Sequence, residues 1–364
     1  MLNRRAVLAS LAGAVSVALT SSACGKDSEG SSETRSEGGT VGIAMPTRSS
    51  ERWLTDGKSV VENLKIQGYK TKLVYGDDDP KVQASQIEAL VKQGVNALII
   101  AAIDAKSLNG PLQQAADAKI PVISYDRLIL GTENVDFYVS FDNEMVGRVQ
   151  AHHIIKKLGL EDGEGPFNIE LFAGSPDDNN TKYFYEGSMA LLQPFLESKQ
   201  LVVPSGQTRL EQMTTLRWDG PTAEKRMRSI LAQWYGNRTV DAVLSPYDGI
   251  SLGVISALNA DGYGTDAKPL PVITGQDAEL ASIKSIIAGE QSQTVYKDVR
   301  ELARTATEMV DDILSDRVPR VNNRSDYDNG VKNVPAHLLQ PQNVDKANYD
   351  VLIQDGYYSV GELK

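Results

Sequence analysis

Asp126 and Arg127 stand side by side at the end of a short apolar run, Pro121-Val122-Ile123-Ser124. The run reads as a buried strand with proline at its first position, a place strands tolerate. In an open parallel sheet the carboxyl ends of the strands line the ligand crevice. A carboxylate and a guanidinium at such an end are costly to bury unless something polar lies between them. Aspartate accepts hydrogen bonds and arginine donates several, so the pair can grip a molecule covered in hydroxyls. The plainer alternative is a surface ion pair in a charged loop.

The same arrangement recurs along the chain. Arg48, Arg52 and Trp53 follow the apolar run Val41 to Met45. Asp178 to Asn180 follow Phe167 to Phe172. Tyr247 and Asp248 follow Val240 to Ser245, Asp277 follows Pro271 to Thr274, and Lys297 closes Thr294 to Lys297. Trp218 lies between elements, in Leu216-Arg217-Trp218-Asp219. A neutral polyol needs many donors and acceptors, plus aromatic plates against its C–H faces. These residues are that inventory. Each has a structural alternative: Trp53 as core on an apolar helix face, one of Asp177 to Asn180 as a helix cap, Lys297 as a solvated lysine.

Catalytic patterns are missing. His152, His153 and His337 have no serine or aspartate partner at suggestive spacing. There is no G-x-S-x-G, G-x-x-x-x-G-K-[ST] or G-x-G-x-x-G, and no C-x-x-C or H-E-x-x-H. No catalytic residue, metal or cofactor is expected. A net charge of -11 argues against nucleic acid and anionic membrane surfaces, which want clustered Lys and Arg.

The elements that must hold these groups follow from length and pattern. The 364 residues are long for one core, and 41% hydrophobic with 23% charged is ordinary for a soluble protein. Asn3, Arg4 and Arg5 precede an apolar stretch, Ala6 to Thr20, which reads as an export signal and is short for a membrane span. The paired arginines loosely resemble a twin-arginine signal. The single cysteine, Cys24, resembles the lipidated cysteine of bacterial lipoproteins, although Ser21 stands where that signal usually has leucine. Gly25 to Thr40, rich in Ser, Gly and Glu, reads as a flexible tether.

From Val41 strands and helices alternate. Strands are expected at 41–45, 70–75, 97–102 and 121–124, with helices at 52–67, 78–93 and 108–118 between them. A second set begins after Asp142, with helices at 143–158, 183–196, 222–235, 251–261, 281–288 and 298–314. Its strands lie at 167–172, 240–245, 271–274 and 294–297, and a short one is expected near Gly330 to Asn333. Strands separated by single helices mean βαβ units and a parallel sheet. The fold class is α/β, in two halves of similar plan with facing strand ends.

The segments Met45-Pro-Thr-Arg-Ser-Ser-Glu-Arg-Trp53, VISYDRL (122–128), GSPDDNN (174–180), LRWDGPTA (216–223), SPYDG (245–249), GQDAE (275–279) and VYKD (295–298) carry a resemblance. From about Val41 to the C-terminus the chain resembles the monosaccharide-binding proteins of bacterial ABC importers, in the xylose-binding and multiple-monosaccharide-binding group. That resemblance implies the type I periplasmic-binding-protein fold: two doubly wound parallel-sheet lobes joined by a three-stranded hinge, closing on a sugar. It implies Arg48, Arg52, Trp53, Asp126 and Arg127 as ligand contacts from the first lobe. Asp178, Asn180, Trp218, Tyr247, Asp248 and Asp277 would come from the second, with Lys297 at the second crossing. The expected organisation is a signal peptide over 1–23 and a tether over 24–40. A first lobe would follow over 41–143 with 299–330, and a second over 144–298 with 331–364. The implied partners are an aldopyranose such as xylose, glucose, galactose or arabinose, and the permease subunits of an importer. Membrane contact would be only through a lipid at Cys24, with no nucleic acid, and the chain would be an extracytoplasmic, anchored monomer.

Other classes stay in view. A ligand-responsive transcription regulator shares such a two-lobe body but needs a basic DNA-binding segment before residue 41. A glycan-processing enzyme would use two carboxylates, and Asp126, Asp178 and Asp277 could supply them. A sugar carrier for a chemoreceptor or sensor kinase differs only in its partner.

Overall fold

The computed structural model describes residues 38–364. The expected export signal, Cys24 and most of the tether lie outside the described residues. Every strand of the first sheet is parallel, and the strands lie side by side in the order 336–339, 137–141, 122–125, 97–100, 40–45 and 70–75. The first half supplies β1 (Thr40–Met45), α1 (Glu51–Ile66), β2 (Lys70–Tyr75), α2 (Pro80–Lys92), β3 (Ala97–Ile100), α3 (Asn109–Asp117), β4 (Val122–Tyr125) and β5 (Phe137–Phe141).

The second half runs α4 (Asn143–Lys157), β6 (Phe167–Leu171), α5 (Asn180–Glu197), β7 (Leu201–Val202), α6 (Leu210–Met213), α7 (Gly220–Trp234), β8 (Ala242–Leu244), α8 (Asp248–Ala260), β9 (Val272–Ile273), α9 (Leu280–Ala288) and β10 (Gln293–Tyr296). Its parallel sheet has the order β7-β6-β8-β9. Then α10 (Val299–Leu314) and β11 (Ala336–Leu339) return to the first lobe. The chain ends in the second with β12 (Gln342–Asp345), antiparallel to β10, and α11 (Val351–Gln354).

Central strands such as Ala97–Ile100 are buried throughout, which is why they read as unbroken apolar runs. One face of the first sheet packs on α1 and α10 through Val60, Leu64, Leu302 and Met309. Its other face packs on α2 and α3 through Ile87, Leu90, Leu108 and Leu112. In the second lobe, α7 and α8 cover one face and α4 and α5 the other. α4 and α5 meet backbone to backbone. A Cβ on Gly147 would lie 2.1 Å from the Phe184 carbonyl oxygen, and one on Gly187 would lie 2.0 Å from that of Glu144. Glycine is needed at both positions for that approach.

Two expectations need correcting. The strand expected near Gly330 to Asn333 is a turn closed by a bridge between Asp328 and Asn333. The strand lies later, at Ala336–Leu339, and pairs with Tyr138–Phe141 of the first sheet. Residues 331–339 therefore stay with the first lobe rather than the second. The Asn-rich stretch before them is fixed by side-chain hydrogen bonds, such as Asn329 Nδ2 to Thr132 O (2.8 Å) and Asn322 Nδ2 to Leu338 O (2.9 Å). The chain passes between lobes at Asp142, at Lys297–Asp298 and at Gln340–Pro341, between the elements just named. β5, which the sequence reading left out, supplies the last residues before the first passage.

A charged cleft between two sheets

A cavity of about 420 Å³ lies between the lobes, lined by residues of both. Its floor is built around Arg52. The first turns of α1 bury Arg52, Trp53 and Asp56 on one face, so a guanidinium is drawn under the cleft with its helix. Arg52 Nη2 donates to Asp126 Oδ2, Nη1 lies 3.5 Å from Asp277 Oδ1, and Nε lies 3.3 Å from Asp56 Oδ2. Asp56 is fully buried and also accepts from the Tyr125 hydroxyl of β4. Burial alone would lower the Arg52 pKa, but the charges of Asp126, Asp277 and Asp56 raise it well above the ordinary value. Burial lifts Asp56 to about 7 against the pull of Arg52.

Asp126 directly follows β4 and Asp277 lies four residues beyond β9, one in each lobe, and both have left-handed backbones, with φ of 59° and 92°. This conformation costs an aspartate less than most residues. At Asp126 the main-chain oxygen is taken up by side chains of both lobes. That oxygen accepts from Tyr138 OH (2.7 Å), Ser140 Oγ (3.0 Å) and Asn180 Nδ2 of α5 (2.9 Å). The Lys297 ammonium, 1% exposed, lies 2.9 Å from Asp277 Oδ1 and 4.0 Å from Asp126 Oδ2. Burial would push Asp126 up, but Arg52 and then Lys297 hold it below the ordinary carboxylate range.

The next charged pair also spans the lobes. Arg127 Nε lies 2.9 Å from Asp178 Oδ2, and Nη1 donates to Ala102 O at 3.1 Å. Burial raises the Asp178 pKa against the pull of Arg127. The other Asp178 oxygen accepts from the Asn180 N–H (2.9 Å), at the first residue of α5, so this carboxylate serves the helix start as well as the cleft. The Asn180 side chain also accepts from Asn143 Nδ2 at 3.0 Å.

Aromatic rings form the walls. Trp53 is 5% exposed and belongs to the core of the first lobe, yet it also lines the cavity. The guanidinium carbons of Arg52 and Arg127 lie 4.7 and 5.0 Å from its ring centroid. Trp53 is therefore a core residue that also faces the cavity. Trp218 packs edge-on to Tyr247 and Phe184, with centroids 6.0 and 6.1 Å away. Its ring lies over Gly174, where a Cβ would come within 2.0 Å of it. Arg217 and Trp218 are consecutive left-handed residues, with φ of 58° and 59°. Tyr247 donates through its hydroxyl to Glu279 Oε1 (2.6 Å), and burial raises Glu279 to about 7.

Ten of the twelve residues expected at the ligand line this cavity: Arg52, Trp53, Asp126, Arg127, Asp178, Asn180, Trp218, Tyr247, Asp277 and Lys297. Arg48 and Asp248 do not. Arg48 turns outward, its side chain 55% exposed, to pair with Asp77 at 2.7 Å and lie over the Tyr75 ring. Asp248 is fully buried behind the wall. It accepts from the Glu279 N–H and from Gln291 Nε2, both at 2.9 Å, and so ties the first residue of α8 to the loop after β9. The reading missed Thr47, Ser49, Ser50, Asp78, Phe184, Arg217, Asp219, Gln276 and Glu279. Phe184 lies one helical turn beyond Asn180, and Glu279 lies two residues beyond Asp277, so spacing pointed to both.

Residues 41–317 match the family described as the periplasmic binding protein domain. The chain is 55% identical over 326 residues to the multiple sugar-binding periplasmic protein SbpA of Azospirillum brasilense, covering 89% of this chain and 91% of that one. It is 53% identical over 327 residues to the multiple sugar-binding periplasmic receptor ChvE of Rhizobium radiobacter, covering 90% and 92%. Among solved structures it is similar to an ABC transporter solute binding protein from Clostridium phytofermentans with bound β-D-glucose. That match has a TM-score of 0.86 and 42% identity, and covers 89% of this chain and 100% of that one.

Proposed function

Since the chain belongs to the periplasmic binding protein family, we propose that it captures a monosaccharide, an aldopyranose, in the cavity between its lobes. It then delivers the sugar to the permease of an ABC importer. The observation that carries this reading is the meeting of opposite charges from both lobes around one cavity: Arg52 with Asp277, Lys297 with Asp126, and Arg127 with Asp178. Groups already oriented by partners can form charge-assisted hydrogen bonds to hydroxyls without reorganising. Trp53 and Trp218 supply the flat apolar faces that a pyranose ring lies against.

Closure follows from this arrangement. The sugar touches both lobes only when they are together, so it binds the closed form more tightly and draws the population toward it. The permease then recognises a loaded protein by its shape. The ten cavity residues named above are the proposed ligand contacts. Residues 41–142 with 299–339 form the proposed first lobe, and 143–298 with 342–364 the second. Outside the described residues, an export signal over 1–23 and a lipid on Cys24 would hold the protein on the outer face of a membrane. Among the described residues no helix is long and apolar enough to cross one.

Calorimetric titration of the purified chain with aldoses and ketoses tests the reading. Saturable binding of one or more aldopyranoses at 1:1 stoichiometry is expected. Failure to bind any monosaccharide, or turnover of one, would overturn it.

A further inference from the structure

The cavity lining carries six carboxylates (Asp78, Asp126, Asp178, Asp219, Asp277 and Glu279) against four cations. The cations are already engaged: Arg52 and Lys297 with Asp126 and Asp277, Arg127 with Asp178, and Arg217 with Asp177. Among the described residues three of the six, Asp78, Asp219 and Glu279, make no ion pair, and of these Glu279 is the one held by hydroxyls from both lobes. Its Oε1 accepts from two hydroxyls, Tyr247 OH at 2.6 Å and, across the cleft, Ser50 Oγ at 3.5 Å. Its Oε2 carries no hydrogen bond from the described residues. The group sits at the cavity wall, held from one side by a phenol and open on the other, with no positive charge to compensate it. A partly buried carboxylate in that position gains more from a cation than from another hydroxyl.

The geometry points to Glu279 as a specificity residue for monosaccharides that carry a primary ammonium group, the amino sugars. This rests on the monosaccharide-binding reading above and extends its ligand class. The charge pairs on the floor, from Asp126 to Lys297, hold the neutral hydroxyls. Glu279 takes the ammonium through Oε2, while Tyr247 and Ser50 keep Oε1 in place. The excess of carboxylates over cations in the lining adds a field of the same sign.

The test titrates the full chain with D-glucose, D-galactose and D-mannose, with the three corresponding 2-amino sugars as hydrochlorides, and with their N-acetyl forms. At least one amino sugar is expected to bind as tightly as its parent hexose or tighter, and its N-acetyl form at least tenfold more weakly. Glu279→Gln is expected to lower the ratio of amino-sugar to parent affinity at least tenfold. The wild-type comparison needs no folded variant. If parent hexoses bind and every amino sugar binds a hundredfold more weakly, the Glu279 inference falls and the monosaccharide reading stands. An affinity ratio unchanged in Glu279→Gln overturns the inference too. If neither set binds, the Glu279 inference falls, and the monosaccharide reading is then decided by the wider panel of aldoses and ketoses above.

Discussion

Asn180 Nδ2, on the first residue of α5, donates across the cleft to the main-chain oxygen of Asp126 at 2.9 Å. The bond uses the peptide of Asp126 and leaves its carboxylate to Arg52 and the cavity. Closure and ligand contact are thus drawn from two ends of one residue. Asn180→Ala removes this bond, worth about 1 kcal/mol, together with the weaker contacts of Oδ1 with Tyr138 OH (3.2 Å) and Asn143 Nδ2 (3.0 Å). Affinity should fall by roughly threefold to tenfold, and by a similar factor for every sugar that binds. Titrating several sugars checks this; a loss confined to one epimer would assign Asn180 to ligand contact alone.

Asp126→Ala removes one of the two carboxylates that Arg52 and Lys297 share, leaving Asp277 alone between them. Breaking a buried charge pair from one side costs about 3–5 kcal/mol. Sugar binding should be lost, and the melting temperature should also drop, because the cluster is structural as well as functional. Calorimetry and thermal unfolding of one sample separate the effects. Wild-type affinity in the variant would remove Asp126 from the site.

Asp56 never reaches the cavity, yet it fixes Arg52 through Nε and is itself fixed by Tyr125. Its pKa is raised from 3.8 to about 7 in the folded protein. The folded state therefore holds this proton more tightly than the unfolded chain does. The contribution is complete below about pH 4 and is lost as pH rises to 7, a change on the order of a few kcal/mol. His153, lowered by burial to about 4, works in the opposite sense over the same range. The informative quantity is therefore the difference in melting temperature between wild type and Asp56→Asn. It should shrink steadily from pH 4 to pH 7. A difference independent of pH would contradict the assignment.

A methyl group at residue 187 has nowhere to go, since it would meet the Glu144 carbonyl oxygen at 2.0 Å. Gly187→Ala must push α5 away from α4, at a cost of about 1–3 kcal/mol. α5 also carries Asn180 and Phe184, so sugar affinity should fall along with stability. Thermal unfolding and titration together test this; an unchanged melting temperature would mean the helices separate freely.

Much of the frame was legible because its strands are buried on both faces. Ala97–Ile100 and Val122–Tyr125 are buried throughout, and a charge just beyond such a run stands out. That signal found Asp126, Arg127, Asp277 and Lys297. It failed where a side chain's direction depends on the turn. Arg48 and Asp248 are near neighbours of Ser50 and Tyr247 in sequence, yet one points to solvent and the other into the wall. It also failed at β11, whose Ala-His-Leu-Leu has only its first residue fully buried and gives no clear period. Asp56 was hidden because a carboxylate within a helix ordinarily faces water, and only its neighbours Arg52 and Tyr125 explain its burial.

Lys297 lies two residues before α10, in one of the three strands of chain that join the lobes. Its ammonium touches the carboxylates that follow a strand in each lobe. On the proposed ligand reading, detector and axle are the same residue. Any ligand that draws Asp126 or Asp277 toward itself changes the load on the pivot directly, without a relay through either lobe. Shortening this side chain would therefore weaken the grip on a ligand and the coupling of occupancy to movement together.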